Sequence, residues 1–248
     1  MQLNTIKEQS INHQNWIPSD YWVNSAFEKN INNEVVQFPD WDINKQSNDQ
    51  FLGVEEFITG NELEQLLLTQ QGIEIKEGIQ HNHISKANNP WYKFNLEDIG
   101  ELYTPQKSIR YNISWEDLYE LGLVFGLKDK NNPTILVIKD QAYQVRLLKG
   151  INQFYSTFDN TSFDNSVSTI GSEWNRIHKL LTVNNTNFKN EKPTTKGEFI
   201  WCQEIIDNQS ENYKFAISRN NSHPNHCESD PINLKNFSQG WKPVLQKI

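Results

Sequence analysis

Residues 134–150 read TILVIKDQAYQVRLLKG, and this stretch decides the fold class. Two apolar runs, 134–138 and 142–148, flank Lys139-Asp140-Gln141, the pattern of a β-hairpin turning at 139–141. Both runs are rich in Val, Ile, Leu or Tyr, and β-branched and aromatic side chains suit a pleated, half-buried surface. Arg146 stands inside the second run, between Val145 and Leu147. An arginine in so apolar a strand predicts an internal hydrogen-bond node. Its planar five-donor fork can hold carbonyls or a carboxylate in fixed geometry.

Of the 23 basic residues only four are arginines, and the other three also sit in apolar-aromatic blocks. These are Arg110 in SIRYNISW, Arg176 in SEWNRIHKLL and Arg219 in FAISRNN. Elsewhere lysine serves for solubility and asparagine is abundant. The same blocks hold Trp115 and Trp174, and Trp201 and Trp241 stand in similar surroundings. Each indole can bury roughly 200 Å2 of mostly apolar surface, so these four read as core plugs beside the arginine nodes. Glu173 and Arg176, three apart on one expected helix, are spaced to pair with each other.

Helices are expected on either side of the hairpin. In ITGNELEQLLLTQQG, Thr59 and Glu62 have the capping-box spacing, Leu63, Leu66 and Leu67 share a face, and Gly72 supplies a stop. ISWEDLYELGLV repeats the device with Ser114, Asp117 and Gly122. SEWNRIHKLL has Ser172 as its cap and Trp174, Ile177 and Leu181 on one side. Strands follow around 199–202 and 214–218 and in the terminal WKPVLQKI, separated by polar loops at 151–171, 182–197 and 219–239. The class is α+β, with short helices, small antiparallel sheets and long polar loops.

Residues 1–53 read differently, as an irregular arm ahead of a domain at 54–248. The arm shows neither a helical nor an alternating period and carries isolated aromatics, among them Trp16, Trp22 and Trp41. Such a segment cannot bury a core of its own, and spaced aromatics of this kind suit an assembly interface.

Composition narrows the function. The chain has 248 residues, a net charge of −8 and no basic run, which argues against nucleic-acid binding through phosphates. No apolar stretch approaches membrane-spanning length, and MQLNTIKEQSINHQ has no hydrophobic signal core, so a soluble, unexported chain is expected. The mean hydropathy of −0.73 is low, but 12% aromatic content with eight tryptophans opposes disorder. The two cysteines, Cys202 and Cys227, could close a disulfide loop or stay reduced.

Six blocks resemble, in order, a family of phage and prophage virion proteins: YNISWEDL (111–118), YQVRLLKG (143–150), SEWNR (172–176), WCQE (201–204), the strand holding Arg219, and GWKPVL (240–245). The resemblance covers about residues 55–248. It implies a C-type-lectin-like domain displaying variable loops, similar to tail, fibre and receptor-binding components. It further implies neighbouring virion proteins as partners for the arm, a host-surface glycan or protein as receptor, oligomeric assembly and a place in the virion. The candidate binding-loop residues are Asn160, Asn185, Asn220, His223, Asn225 and His226. The acidic-Pro-Asn and Trp-Asn-Asp runs of calcium-dependent lectins do not occur, so no cofactor is expected.

Catalytic patterns are weak. His81-Asn82-His83 lacks the spread of an HNH nuclease motif and reads as a polar loop. His223-Pro-Asn-His226-Cys227, with Glu228 and Asp230 nearby, has zinc-ligand types but no helix to aim both imidazoles at one ion. The sequence lacks G-x-S-x-G, G-x-G-x-x-G and the phosphate-binding G-x-x-x-x-G-K-[ST]. A non-enzymatic virion protein is the expectation. The alternatives are a purely structural virion joint or an enzyme dependent on a metal or on Cys202 and Cys227.

Overall fold

The computed structural model describes residues 48–80, 90–129, 132–150, 172–184, 199–208, 213–220 and 227–248. The arm tryptophans Trp16, Trp22 and Trp41, the His81-Asn82-His83 stretch, and the loop residues Asn160, Asn185, His223, Asn225 and His226 lie outside the described residues.

The chain opens with β1 (Gln50–Glu55), α1 (Gly60–Gln71), β2 (Ile79–Gln80), β3 (Trp91–Leu96), β4 (Gly100–Pro105) and β5 (Arg110–Tyr111). It continues with α2 (Trp115–Glu120), β6 (Leu127–Asp129), β7 (Asn132–Pro133), β8 (Ile135–Ile138) and β9 (Gln141–Arg146). The rest is α3 (Glu173–Asn184), β10 (Phe199–Asn208), β11 (Tyr213–Asn220), β12 (Cys227–Pro231), β13 (Gln239–Trp241) and β14 (Val244–Lys247). The class is α+β, with strands predominating.

Local chemistry explains the helix ends. Thr59 Oγ1 accepts the Glu62 N–H at 3.1 Å while the Glu62 carboxylate accepts the Thr59 N–H at 2.7 Å, a complete capping box. Gly72 closes α1 at φ +65°, a conformation favoured by a residue without Cβ. Ser114 and Asp117 form the same reciprocal pair at the start of α2. Ser172 Oγ accepts the Asn175 N–H at 3.2 Å ahead of α3.

The hairpin turns through two residues, not three: Lys139 and Asp140 both have positive φ (+49° and +63°), and Ile138 faces Gln141. Two left-handed residues match the right-handed twist of the flanking strands.

Two six-stranded sheets form the frame, larger than the small sheets expected. Sheet 1 runs β1-β3-β4-β14-β9-β8, entirely antiparallel. Sheet 2 runs β12-β11-β10-β13-β5-β2, with β10 and β13 parallel and the other pairs antiparallel. A short β6–β7 ribbon completes the set. Successive strand residues point to opposite faces. Leu102 and Val244 accordingly join a cluster with Trp174, Ile177 and Leu181 of α3, whereas Tyr103 and Leu245 join one with α1, α2, Trp115, Trp201 and Trp241. Sheet 1 is therefore packed on both faces.

Four boundaries differ from the sequence reading. β1 begins at Gln50 and pairs with β3, so residues 50–53 belong to the sheet and not to the arm. Four of its six residues are exposed, and the types in QFLGVE do not alternate between polar and apolar, so no period reveals the strand. WKPVLQKI is not one strand: Pro243 has no N–H to give a ladder, and the chain passes there from sheet 2 at Trp241 to sheet 1 at Val244. The expected loop 219–239 contains β12, which pairs with β11 from Cys227 to Pro231. Asn220, expected in an exposed loop, is 6% exposed and closes β11 opposite Phe199.

Candidate functional site

The arginine nodes converge where the polar segments leave the frame. Gly150, just beyond β9, is held from three sides. Its N–H donates to both Glu204 carboxylate oxygens at 3.0 and 2.9 Å. Its carbonyl accepts from Arg219 Nη1 at 3.0 Å. A Cβ at this position would lie 2.6 Å from Cys202 Sγ, so only glycine fits. Arg219 Nη2 also donates to Asn175 Oδ1 at 2.7 Å, which joins β11 to the first turn of α3.

That first turn is bound on its other side too. Arg146 meets Glu173 through two charge-assisted bonds, Nη1 to Oε2 at 2.7 Å and Nη2 to Oε1 at 2.9 Å. Glu173 Oε2 additionally accepts the Lys149 N–H at 3.0 Å, and Trp174 N–H donates to the Lys149 carbonyl at 3.1 Å. Arg176 reaches the domain's entry point, with Nε to Asp49 Oδ2 at 2.7 Å and Nη1 to Asp98 at 2.6 Å. The expected Glu173–Arg176 pair is replaced by these longer-range partners: Arg146 engages Glu173, and Asp49 and Asp98 engage Arg176.

Glu204 owes its position to a bulge. Opposite Ser218 and Ala216 of β11 stand Trp201 and Ile205 of β10, so three residues, Cys202, Gln203 and Glu204, face one. The bulge turns Glu204 toward Gly150 and lets the Gln203 N–H donate to Leu148. The Trp115 indole donates to the Cys202 carbonyl at 2.9 Å, and the Trp201 indole to the Ile113 carbonyl at 2.9 Å. Trp115, Trp174, Trp201 and Trp241 are all at most 1% exposed, as is Arg219. Arg110 lies apart and ties β5 to α1, with Nε to Glu64 at 2.6 Å.

Segments 151–171, 185–198 and 221–226 have six ends in the frame: Gly150 and Ser172, Asn184 and Phe199, Asn220 and Cys227. Five meet at this node. Gly150 and Ser172 flank the Arg219–Asn175 contact, Phe199 pairs with Asn220, and Cys227 pairs with Arg219. Only Asn184 is remote, at the far end of a helix of 12 residues, roughly 17 Å away at 1.5 Å per residue.

His178, which the sequence reading did not single out, lies one turn further along α3, its ring 4.3 Å from that of Trp174. Burial pushes its imidazole well below the ordinary histidine range, and the nearby charges of Lys242 and Arg219 add to the shift. Cys202 is fully buried, its thiol 3.7 Å from the Ile200 carbonyl. Among the described residues no group of His, Cys, Asp and Glu could hold a metal ion. Among them also, no helix is long and apolar enough to cross a membrane. The node is a set of charges committed to main chain and to one another, chemistry suited to holding loop bases rigid.

No family model, curated protein or solved structure matches the chain.

Proposed function

We propose that this chain is a non-enzymatic component of a bacteriophage particle, in the tail, fibre, baseplate or neck. It attaches through its N-terminal arm and presents segments 151–171, 185–198 and 221–226 to a receptor on the host surface. One observation carries the reading: five of the six segment ends meet at the node of Arg146, Glu173, Glu204, Gly150 and Arg219. A frame that fixes the roots of several Asn-rich segments at one place suits a display platform. The resemblance of the six sequence blocks to virion proteins supplies the setting, and a C-type-lectin-like fold is part of the same proposal.

The test is direct. An antibody against the purified chain is applied to particles released by a strain carrying the gene, and labelling of the tail structure is expected. Particles in which 151–171 is replaced by a short Gly/Ser linker should assemble but adsorb to host cells at least tenfold less. Unlabelled particles would end the virion reading. Normal adsorption after replacement of all three segments would end the receptor reading.

A further inference from the structure

Phe237 is the most exposed large apolar side chain among the described residues, at 74%. A single exposed ring needs no explanation of its own. This one, however, tops a turn that is firmly held. Asn236 Oδ1 accepts the Ser238 N–H at 2.8 Å, the Ser238 hydroxyl at 2.7 Å and the Gln239 N–H at 2.9 Å. The Asn236 carbonyl accepts the Asn112 N–H at 3.1 Å, and the Ile232 carbonyl accepts the Glu116 N–H at 2.9 Å. Lys235 Nζ meets Glu77 Oε2 at 2.8 Å and Asp117 Oδ2 at 3.0 Å, while Ile232 and Leu234 pack on the core of Trp115 and Trp241. The turn is thereby tied to the end of β5, to the stretch before β2 and to the start of α2. A ring on so rigid a support loses little main-chain freedom when it is covered, the property of a binding anchor.

The surroundings give the cover a chemistry. Ile79 of β2, 47% exposed, faces Tyr111 of β5, whose other neighbour is Gly240, just beyond the turn. Two apolar side chains therefore stand at one corner of sheet 2. Glu116 and Glu120, both exposed, lie four apart on α2 beside that corner, a spacing at which like charges repel. Lys235 is engaged by Glu77 and Asp117, and among the described residues neither Glu116 nor Glu120 has an ion-pair partner. Partial burial holds the Glu116 carboxyl above its ordinary range, and the charges of Glu120 and Asp117 raise it further. Lys214 and Lys235 offset only part of the rise. A cation brought from outside relieves this crowding. A second copy of the chain is a poor source for it, because each copy carries a net charge of −8.

We propose that this corner binds a segment of a different protein that carries apolar side chains beside lysine or arginine. Phe237 and Ile79 take the apolar side chains, and Glu116 and Glu120 face the cations, an apolar centre with a complementary charged rim. The surface stands apart from the virion reading, since neither the arm nor the three displayed segments enter it.

The experiment uses the full chain and three fluorescent peptides, one alternating Lys and Leu, one alternating Lys and Ser, and one alternating Glu and Leu. Anisotropy should show the Lys-Leu peptide binding best, and less tightly as salt rises. Phe237→Ala should weaken that binding by about tenfold or more at an unchanged melting temperature. Glu116→Gln/Glu120→Gln should weaken it by about threefold or more and flatten the salt dependence. Equal binding of the Lys-Ser peptide would leave charge alone at work and overturn the proposal, and equal binding of the Glu-Leu peptide would remove the role of the carboxylates. Unaltered affinity in Phe237→Ala, or no binding of the Lys-Leu peptide at all, is equally fatal. Light scattering supplies the last arm: self-association of the chain that Phe237→Ala abolishes would make the occupant a second copy and end the proposal as stated.

Discussion

Arg146 of β9 and Glu173 of α3 face each other across two hydrogen bonds of 2.7 and 2.9 Å, with both side chains almost fully covered. A pair this deep is asymmetric in its consequences: the intact pair adds little over apolar side chains, but removing one member strands a buried charge. Glu173→Gln should therefore lower unfolding stability by about 3–5 kcal/mol. Arg146→Met combined with Glu173→Leu should cost clearly less than the sum of the single changes. Urea denaturation of the single and double variants checks the sign and the non-additivity.

Gly150 offers a steric test of the same node. Gly150→Ala places a methyl group against Cys202 Sγ and close to Arg219, so β10 or the Arg219 side chain must move. A loss of about 1–3 kcal/mol is expected. Ordinary folding stability in that variant would remove the node as the fixed base of the segments.

His178 sets a pH dependence. Its imidazole is held neutral in the folded chain, with its pKa well below the ordinary value of 6.5. Above about pH 6.5 neither state takes up the proton, and this contribution to stability is complete. As the pH falls below 6.5 the unfolded chain binds the proton first, so stability declines toward the lowered folded value, by at most about 1.4 kcal/mol per pH unit. Unfolding titrations between pH 7 and 5 should show the slope, and His178→Gln should remove that share of it.

Gln70 guards an edge. Gln70→Ala uncovers the main-chain groups of Val137, whose side chain is already 52% exposed. The expected loss of stability is about 1 kcal/mol, with faster growth of light scattering on warming. Unchanged solubility would show that the side-chain amide is dispensable there.

What could be read from residues alone followed range. Thr59 with Glu62 and Ser114 with Asp117 are separated by three positions, and each pair formed as expected. The hairpin, though not the two-residue length of its turn, and the indoles of Trp115, Trp174, Trp201 and Trp241 likewise announce themselves by local pattern. Partner choice was hidden where partners are distant. Arg176 and Asp49 are 127 positions apart, and nothing near Arg176 names that carboxylate in preference to Glu173. The Glu204–Gly150 contact depends on a β10 bulge that no residue type advertises. β1 and β12 escaped because edge strands with mixed exposure look like loops.

The crossing at Pro243 has a consequence for cooperativity. β13 lies between β10 and β5, and β14 lies between β4 and β9, so residues 239–247 fill inner positions of both sheets. Loss of that one short stretch would strip an inner strand from each sheet, so the two halves of the frame are expected to melt together in a single transition.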